Sequence, residues 1–129
     1  MKRSSTYFQF IKFSVVGTFG FGVDVCVFYL FTQICNLGLA RIIAFLVAVI
    51  FTFLLNRSFT FLVEKKTGFL PEFIKYFFSM ILGGLANLAT SLYLLYQIKF
   101  FENYQFIPLA LGSVAGLLIN FSLSKKIFS

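Results

Sequence analysis

The sequence predicts an all-α integral membrane protein of four transmembrane helices, built from two helical hairpins of the same orientation. Three observations carry that expectation. The 129-residue chain is 60% hydrophobic and only 12% charged, with a mean hydropathy of +0.95, a composition outside the range of soluble domains. Four apolar stretches are each long enough to cross hydrocarbon about 30 Å thick, which takes about 20 residues of helix. An internal repeat pairs the first stretch with the third and the second with the fourth.

The first span reads as residues 10–31, after a basic start at Lys2 and Arg3. It is too long for a signal-peptide core of about 7 to 15 residues, even though Gly38-Leu39-Ala40 resembles a cleavage site. The second, residues 39–55, is the shortest and is expected to run on through Asn56 and Arg57, whose charged head can reach the interface. The third and fourth read as residues 73–96 and 106–123. Between the hairpins, "VEKKTGFLPE" reads as a short solvated turn before the third span. Barrel strands are excluded, because the runs do not alternate and are too long. The whole chain, 1–129, is expected to be one membrane domain, with repeats at about 8–62 and about 72–129.

Charge sets the expected orientation. Lys2, Arg3, Lys12, Arg57, Lys65, Lys66, Lys75, Lys125 and Lys126 fall at one set of span ends, and only Arg41 and Lys99 at the other. Nine basic residues against two place both termini and the middle loop on the cytoplasmic side. The net charge of +7 then follows from topology and from contact with anionic head groups, with no need of nucleic acid.

The inventory of reactive groups is poor: no histidine, four acidic residues and two cysteines. The pattern calls for no catalytic residues, no metal and no cofactor. Cys26 and Cys35 stand too far apart along rising helix for a bridge within that stretch, and Cys26 reads as ordinary apolar packing.

The repeat is the most informative feature. "FIKF" at residues 10–13 recurs as "FIKY" at 73–76, and the same offset of 63 carries Gly20 onto Gly83 and Asp24 onto Asn87. The second spans match at an offset of 68, which carries Ala44 onto Gly112, Ala48 onto Gly116, Thr52 onto Asn120, Asn56 onto Ser124 and Arg57 onto Lys125. Hairpins with an even number of spans share an orientation, so the expected relation is a parallel repeat about an axis along the membrane normal.

At about 100° per residue each span has one small or polar line. These are Gly17, Gly20 and Asp24 on the first, and Arg41, Ala44, Ala48 and Thr52 on the second, with Asn56 at its edge. The third carries Ser79, Gly83, Asn87 and Thr90; the fourth carries Gly112, Gly116 and Asn120, with Ser124 at its edge. The remaining Phe, Leu, Ile and Val are assigned to lipid. Small residues let helices pack closely, and amides can bond across the seam. Asp24 is the outlier, because a charge at membrane depth costs about 2.5 to 3.5 kcal/mol on insertion scales and marks a pathway or a binding site. Its alternatives are a structural ion pair with Arg41, or a polar site that the two form together.

The hairpin pattern "FIKFSVVG", followed by an acidic residue, "LAR" opening the second span, "FLLNRSFTF" closing it and the degenerate copy "INFSLSKKIF" together resemble the GtrA family of small bacterial membrane proteins. Phe59 stands where that family often has Trp, Ser58 where a second basic residue is common, and Ser124-Lys125 where the first copy has Asn56-Arg57. The resemblance implies movement of a polyprenyl-phosphate-linked sugar, such as one on undecaprenyl phosphate, across the bacterial cytoplasmic (inner) membrane for cell-surface polysaccharide glycosylation. The residues themselves suit such a cargo: Asp24 and Arg41 are expected in a central site, Asn56 with Arg57 at the cytoplasmic entrance, and Lys125 as a second phosphate contact. Asp24, Asn87, Thr90 and Asn120 are the candidate partners for sugar hydroxyls. A homodimer is expected, since four short helices enclose little volume. The alternatives are a membrane anchor that recruits a glycosyltransferase, and a small proton-coupled multidrug exporter.

Overall fold

The computed structural model describes residues 5–62 and 68–128. Four helices account for nearly all of them: α1 Thr6–Phe31, α2 Leu37–Leu55, α3 Phe69–Gln97 and α4 Phe106–Phe128. All four are long and apolar enough to span a membrane, α2 once its continuation to Thr60 is included. At 1.5 Å per residue they are about 35 to 44 Å long. They therefore outrun the hydrocarbon layer by tilting or by entering the head groups.

Each helix begins and ends for a local reason. Ser5 Oγ accepts from Phe8 N–H at the start of α1 (3.3 Å), and Asn36 Oδ1 accepts from Leu39 N–H at the start of α2 (2.8 Å); both are N-caps. Gly68 takes φ +95° before α3, and Pro71 follows in the first turn, where no amide donor is needed. The second span does run on past Leu55, but as a single π-type turn over Asn56–Thr60. It stops at Leu62, which adopts a positive φ of 47°.

The chain forms two compact units, one of α1 and α2 joined by Phe128, the other of α3 with α4 to Ile127. In the first, α1 buries Gln9, Phe13, Val16 and Gly20, and α2 buries Ala40, Ala44, Val49 and Phe53. Gly20 gives the close approach: a Cβ there would collide with the Thr52 methyl. Phe13 packs edge-on to Phe61 at 6.2 Å, and Phe61 stacks on Phe128 at 5.4 Å. In the second, α3 buries Glu72, Tyr76, Ser79, Gly83 and Ser91. A Cβ on Gly83 would enter the Asn120 amide, and one on Gly116 would lie 2.8 Å from the Gly83 carbonyl oxygen.

The burial pattern follows the repeat. Gln9, Phe13, Val16 and Gly20 map at an offset of 63 onto Glu72, Tyr76, Ser79 and Gly83, and all eight are buried. At an offset of 68, Ala40, Ala44, Phe53 and Asn56 map onto Pro108, Gly112, Phe121 and Ser124, again all buried. Each hairpin is thus closed in the same register, with Gly20 against Thr52 in one and Gly83 against Asn120 in the other.

Several expectations change. Gly17 is exposed with nothing within 4 Å of a Cβ built there, and Val16 takes its place on the packed face. Cys26 is exposed on the helix surface rather than packed. Not every Phe meets lipid, since Phe13, Phe53, Phe61, Phe121 and Phe128 are buried. α1 and α3 begin about one turn earlier than hydropathy indicates and α2 two residues earlier, whereas α4 begins at Phe106 as expected and runs on to Phe128, because polar and aromatic residues at the ends continue the helix. Of the "VEKKTGFLPE" turn, residues 63–67 lie outside the described residues, as do Lys2 and Arg3; residues 69–72 are already α3, and Glu72 is buried rather than solvated.

Candidate functional site

Near the α1–α2 connection, three side chains of the first hairpin come together. Asp24 on α1 lies 3.8 Å from Arg41 on α2. Phe28, one turn beyond Asp24 on the same face of α1, carries the Arg41 guanidinium on its ring at 4.5 Å. Asp24 is half-buried, with 26% of its side chain exposed, whereas Arg41 leans outward with 63% exposed. The pair is loose, because charge-assisted N–H···O contacts are about 2.7 to 2.9 Å. Asp24 Oδ1 is buried and has no hydrogen-bond partner among the described residues. The sequence reading set Arg41 on the inward line of α2. Its backbone is there, next to buried Ala40, but its head is not. Asp24 lies seven residues before Phe31, about 10 Å from the end of α1 at a helical rise, and so nearer one face than the membrane centre.

The other end of the hairpin holds a second polar group. Thr60 Oγ1 donates to Asn56 Oδ1 at 2.7 Å, and Phe61 N–H donates to the Asn56 carbonyl at 2.9 Å, which closes the π-turn. Both Asn56 and Thr60 are buried. Such turns inside α-helices recur at functional sites. Arg57 lies in this turn, half-buried at the span end. Lys12 donates to the Phe59 carbonyl at 3.5 Å, with its ammonium over the rings of Phe8 at 4.9 Å and Phe59 at 5.0 Å. Gln9, one turn before Phe13, is buried at this level of α1.

In the second hairpin the polar side chains are drawn into the seam. Ser91 Oγ donates to the Asn87 carbonyl at 2.7 Å and lies 3.2 Å from Asn87 Oδ1. Both abut Gly112, where a Cβ would stand 2.6 Å from the Asn87 carbonyl oxygen. Asn120 Oδ1 and Ser124 Oγ are buried without a hydrogen-bond partner among the described residues. Thr90 is only half-buried, and Ser91 beside it holds the packed position. Lys125 is half-buried in the last turn of α4.

Seven of the expected site residues therefore fall into three groups, with Lys125 by itself in the last turn of α4: Asp24 with Arg41; Asn56 with Arg57; and Asn87 with Asn120 along the α3–α4 seam, Thr90 standing just off it. Sequence reasoning missed Phe28, Lys12, Ser91 and the matched buried pair Gln9 and Glu72. Phe28 was legible as an aromatic four residues after Asp24, and Gln9 and Glu72 by extending the 63-residue offset one turn back. Among the described residues no group of acidic, His or Cys side chains could hold a metal ion.

A family model, the GtrA/DPMS transmembrane domain, matches residues 12–128. Comparison with curated proteins gives no match, and neither does comparison with solved structures.

Proposed function

Because the chain belongs to the GtrA/DPMS transmembrane-domain family, which is linked to translocation of lipid-linked sugars, we propose that it moves a polyprenyl-phosphate-linked sugar across the bacterial cytoplasmic membrane. The sugar passes from the cytoplasmic to the outer leaflet, for glycosylation of cell-surface polysaccharide. The protein itself is a carrier without catalytic residues. The observation that carries this reading is a pair of cation-bearing polar groups at opposite ends of one apolar hairpin. Lys12 and Asp24 are twelve residues apart on α1, about 18 Å at a helical rise. A phosphate and the sugar joined to it cannot touch both at once, so the groups serve as successive stations.

In this scheme both termini are cytoplasmic, as the basic residues require. Arg57, in the Asn56 turn, and Lys125, at the matching end of α4, each offer a cation that can receive a phosphate by charge-assisted hydrogen bonds. Asp24 and Arg41 meet the head group near the outer face. Asn87, Thr90 and Asn120 bond sugar hydroxyls, Asn120 through the carbonyl oxygen that lacks a partner within the hairpin. The two hairpins are a parallel repeat, a relation supported by their shared burial register. The working unit is a homodimer in contact with membrane lipid, and a glycosyltransferase is its natural consumer. The Asp24–Arg41 contact at 3.8 Å weighs against export of cations, since the Asp24 carboxylate already faces a guanidinium.

The test is reconstitution in liposomes with a polyprenyl-phosphate sugar. Wild type should speed transbilayer movement, and Arg57→Ala with Lys125→Ala should slow it tenfold or more, on the order of one charge-assisted bond per site. No movement by wild type, with glycosylation restored only when a co-purified glycosyltransferase is present, overturns the carrier in favour of the anchor.

A further inference from the structure

We propose that Arg41 is a phosphate-accepting station and that Asp24 is the anion it exchanges for the phosphate of a lipid ligand, so that the carboxylate drives release. The inference rests on the transport reading above and adds the step by which cargo leaves.

Four observations point to exchange. Phe28 holds one face of the Arg41 guanidinium at 4.5 Å, which orients the group while its five N–H donors stay at the edge. That edge is barely committed: the Asp24 contact is 3.8 Å, and 63% of the arginine side chain is exposed. On the other side of the pair, Asp24 Oδ1 is buried without a hydrogen bond among the described residues, so it draws the guanidinium back whenever no other anion is present. The depth also suits a head group, because Arg41 is the fifth residue of α2, which starts at Leu37.

The second hairpin lacks the device. At the repeat offsets Asp24, Phe28 and Arg41 correspond to Asn87, Ser91 and Leu109. There Ser91 bonds Asn87 and the glycine seam is closed. One chain therefore carries one exchange station, on the first hairpin.

A phosphate arriving at Arg41 meets Asp24 as a competitor. A pair held this loosely should let Asp24 weaken phosphate binding by about 1.4- to fivefold, enough to favour release without preventing capture. Removing the carboxylate should thus tighten binding, which is the opposite of what a structural or cargo-holding aspartate predicts.

The experiment uses the full chain in phosphatidylcholine nanodiscs, titrated with undecaprenyl phosphate in one arm and phosphatidylglycerol in the other, with occupancy read by native mass spectrometry. Asp24→Asn is near-isosteric and copies the residue the other hairpin already has. It should tighten binding about 1.4- to fivefold. Arg41→Gln should weaken it and abolish the gain from Asp24→Asn in the double variant. Phe28→Leu, which leaves both charges in place, should weaken binding about two- to fivefold. Tightening in the undecaprenyl phosphate arm alone assigns the station to the carrier lipid; tightening in both arms assigns it to any lipid phosphate. Unchanged or weaker binding by folded Asp24→Asn, or a gain that survives Arg41→Gln, overturns the exchange. If binding then still depends on Arg57 and Lys125, the transport reading stands without it. A wild type that binds phosphate lipid in neither arm overturns both.

Discussion

Alanine at the seam glycines of the second hairpin should separate two effects that usually oppose each other. A Cβ on Gly116 would sit 2.8 Å from the Gly83 carbonyl oxygen, about 0.6 Å short of the 3.4 Å at which ordinary contact begins. On Gly112 it would sit 2.6 Å from the Asn87 carbonyl oxygen and would also strike Ser91 Oγ. Both obstacles include helix backbone, so the helices must part. Overpacking of this kind costs about 1 to 3 kcal/mol. Gly84, on the same α3 but with nothing within 4 Å of a built Cβ, is the control. There alanine removes only the glycine penalty and should stabilise by up to about 1 kcal/mol. The assay is unfolding of the purified chain by SDS in mixed micelles, followed by circular dichroism. The expected order is Gly84→Ala at or above wild type, then Gly116→Ala, then Gly112→Ala. Because either Cβ alone already spreads the seam, the Gly112→Ala, Gly116→Ala double variant should lose less than the sum of the two. If Gly116→Ala is as stable as Gly84→Ala, the close α3–α4 seam described above is wrong, and with it the placement of Asn87 and Asn120.

Three further outcomes can be measured. Asn56→Ala leaves the Thr60 hydroxyl buried without its acceptor and should lower stability by about 1 to 3 kcal/mol, and Thr60→Val should cost less in that background than in wild type; equal costs in both backgrounds would show that the bond does not hold the π-turn. In intact cells a membrane-impermeant maleimide should label Cys35, in the α1–α2 connection, from outside and should not reach Cys26, exposed on the α1 surface; the reverse pattern contradicts the orientation. The chain has no tryptophan, so Phe100→Trp, in the 3-10 turn where Phe100 stacks on Tyr104 at 5.0 Å, gives a single fluorophore. It should be quenched most by lipids brominated near the head group, as an interfacial aromatic requires.

How much of this was legible depends on which physical rule set each feature. Span number followed from hydropathy, and the packed register followed from the repeat, because both are dictated by which residues can leave water or approach a neighbouring backbone. Gly20, Gly83, Gly112 and Gly116 were found in this way. Gly17 misled because glycine identity suggested a close contact, while packing on α1 steps from Gly20 back by four residues to Val16 rather than by three. Thr90 and Ser91 exchanged places for the same reason, as a line read at 100° per residue drifts along a helix of 29 residues. The π-turn has no sequence period at all; it shows only in the bond from Phe61 N–H to the Asn56 carbonyl and the Asn56–Thr60 side-chain bond beside it. Phe28 and Lys12 escaped because aromatic and basic residues at span ends already had sufficient explanations in lipid contact and topology, so the contacts of Phe28 with Arg41 and of Lys12 with Phe8 and Phe59 were not demanded by pattern.

The contrast between the hairpins bears directly on direction. Their backbones close in one register, glycine against the opposing side chain at Gly20 and at Gly83, yet the polar chemistry differs at the equivalent level. The first has a loosely held ion pair on an aromatic ring, and the second has an amide and a hydroxyl bonded into the seam. A tight seam resists opening because separation exposes bonded amides to hydrocarbon. A loose pair yields, because each charge can accept another partner. On the proposed reading, phosphate exchange belongs to the first hairpin, where the pair yields, and not to the second, where Asn87 and Ser91 are bonded to each other. Asp24→Asn makes the two levels alike in charge, and a carrier that needs one yielding side should then hold its lipid longer and deliver it more slowly.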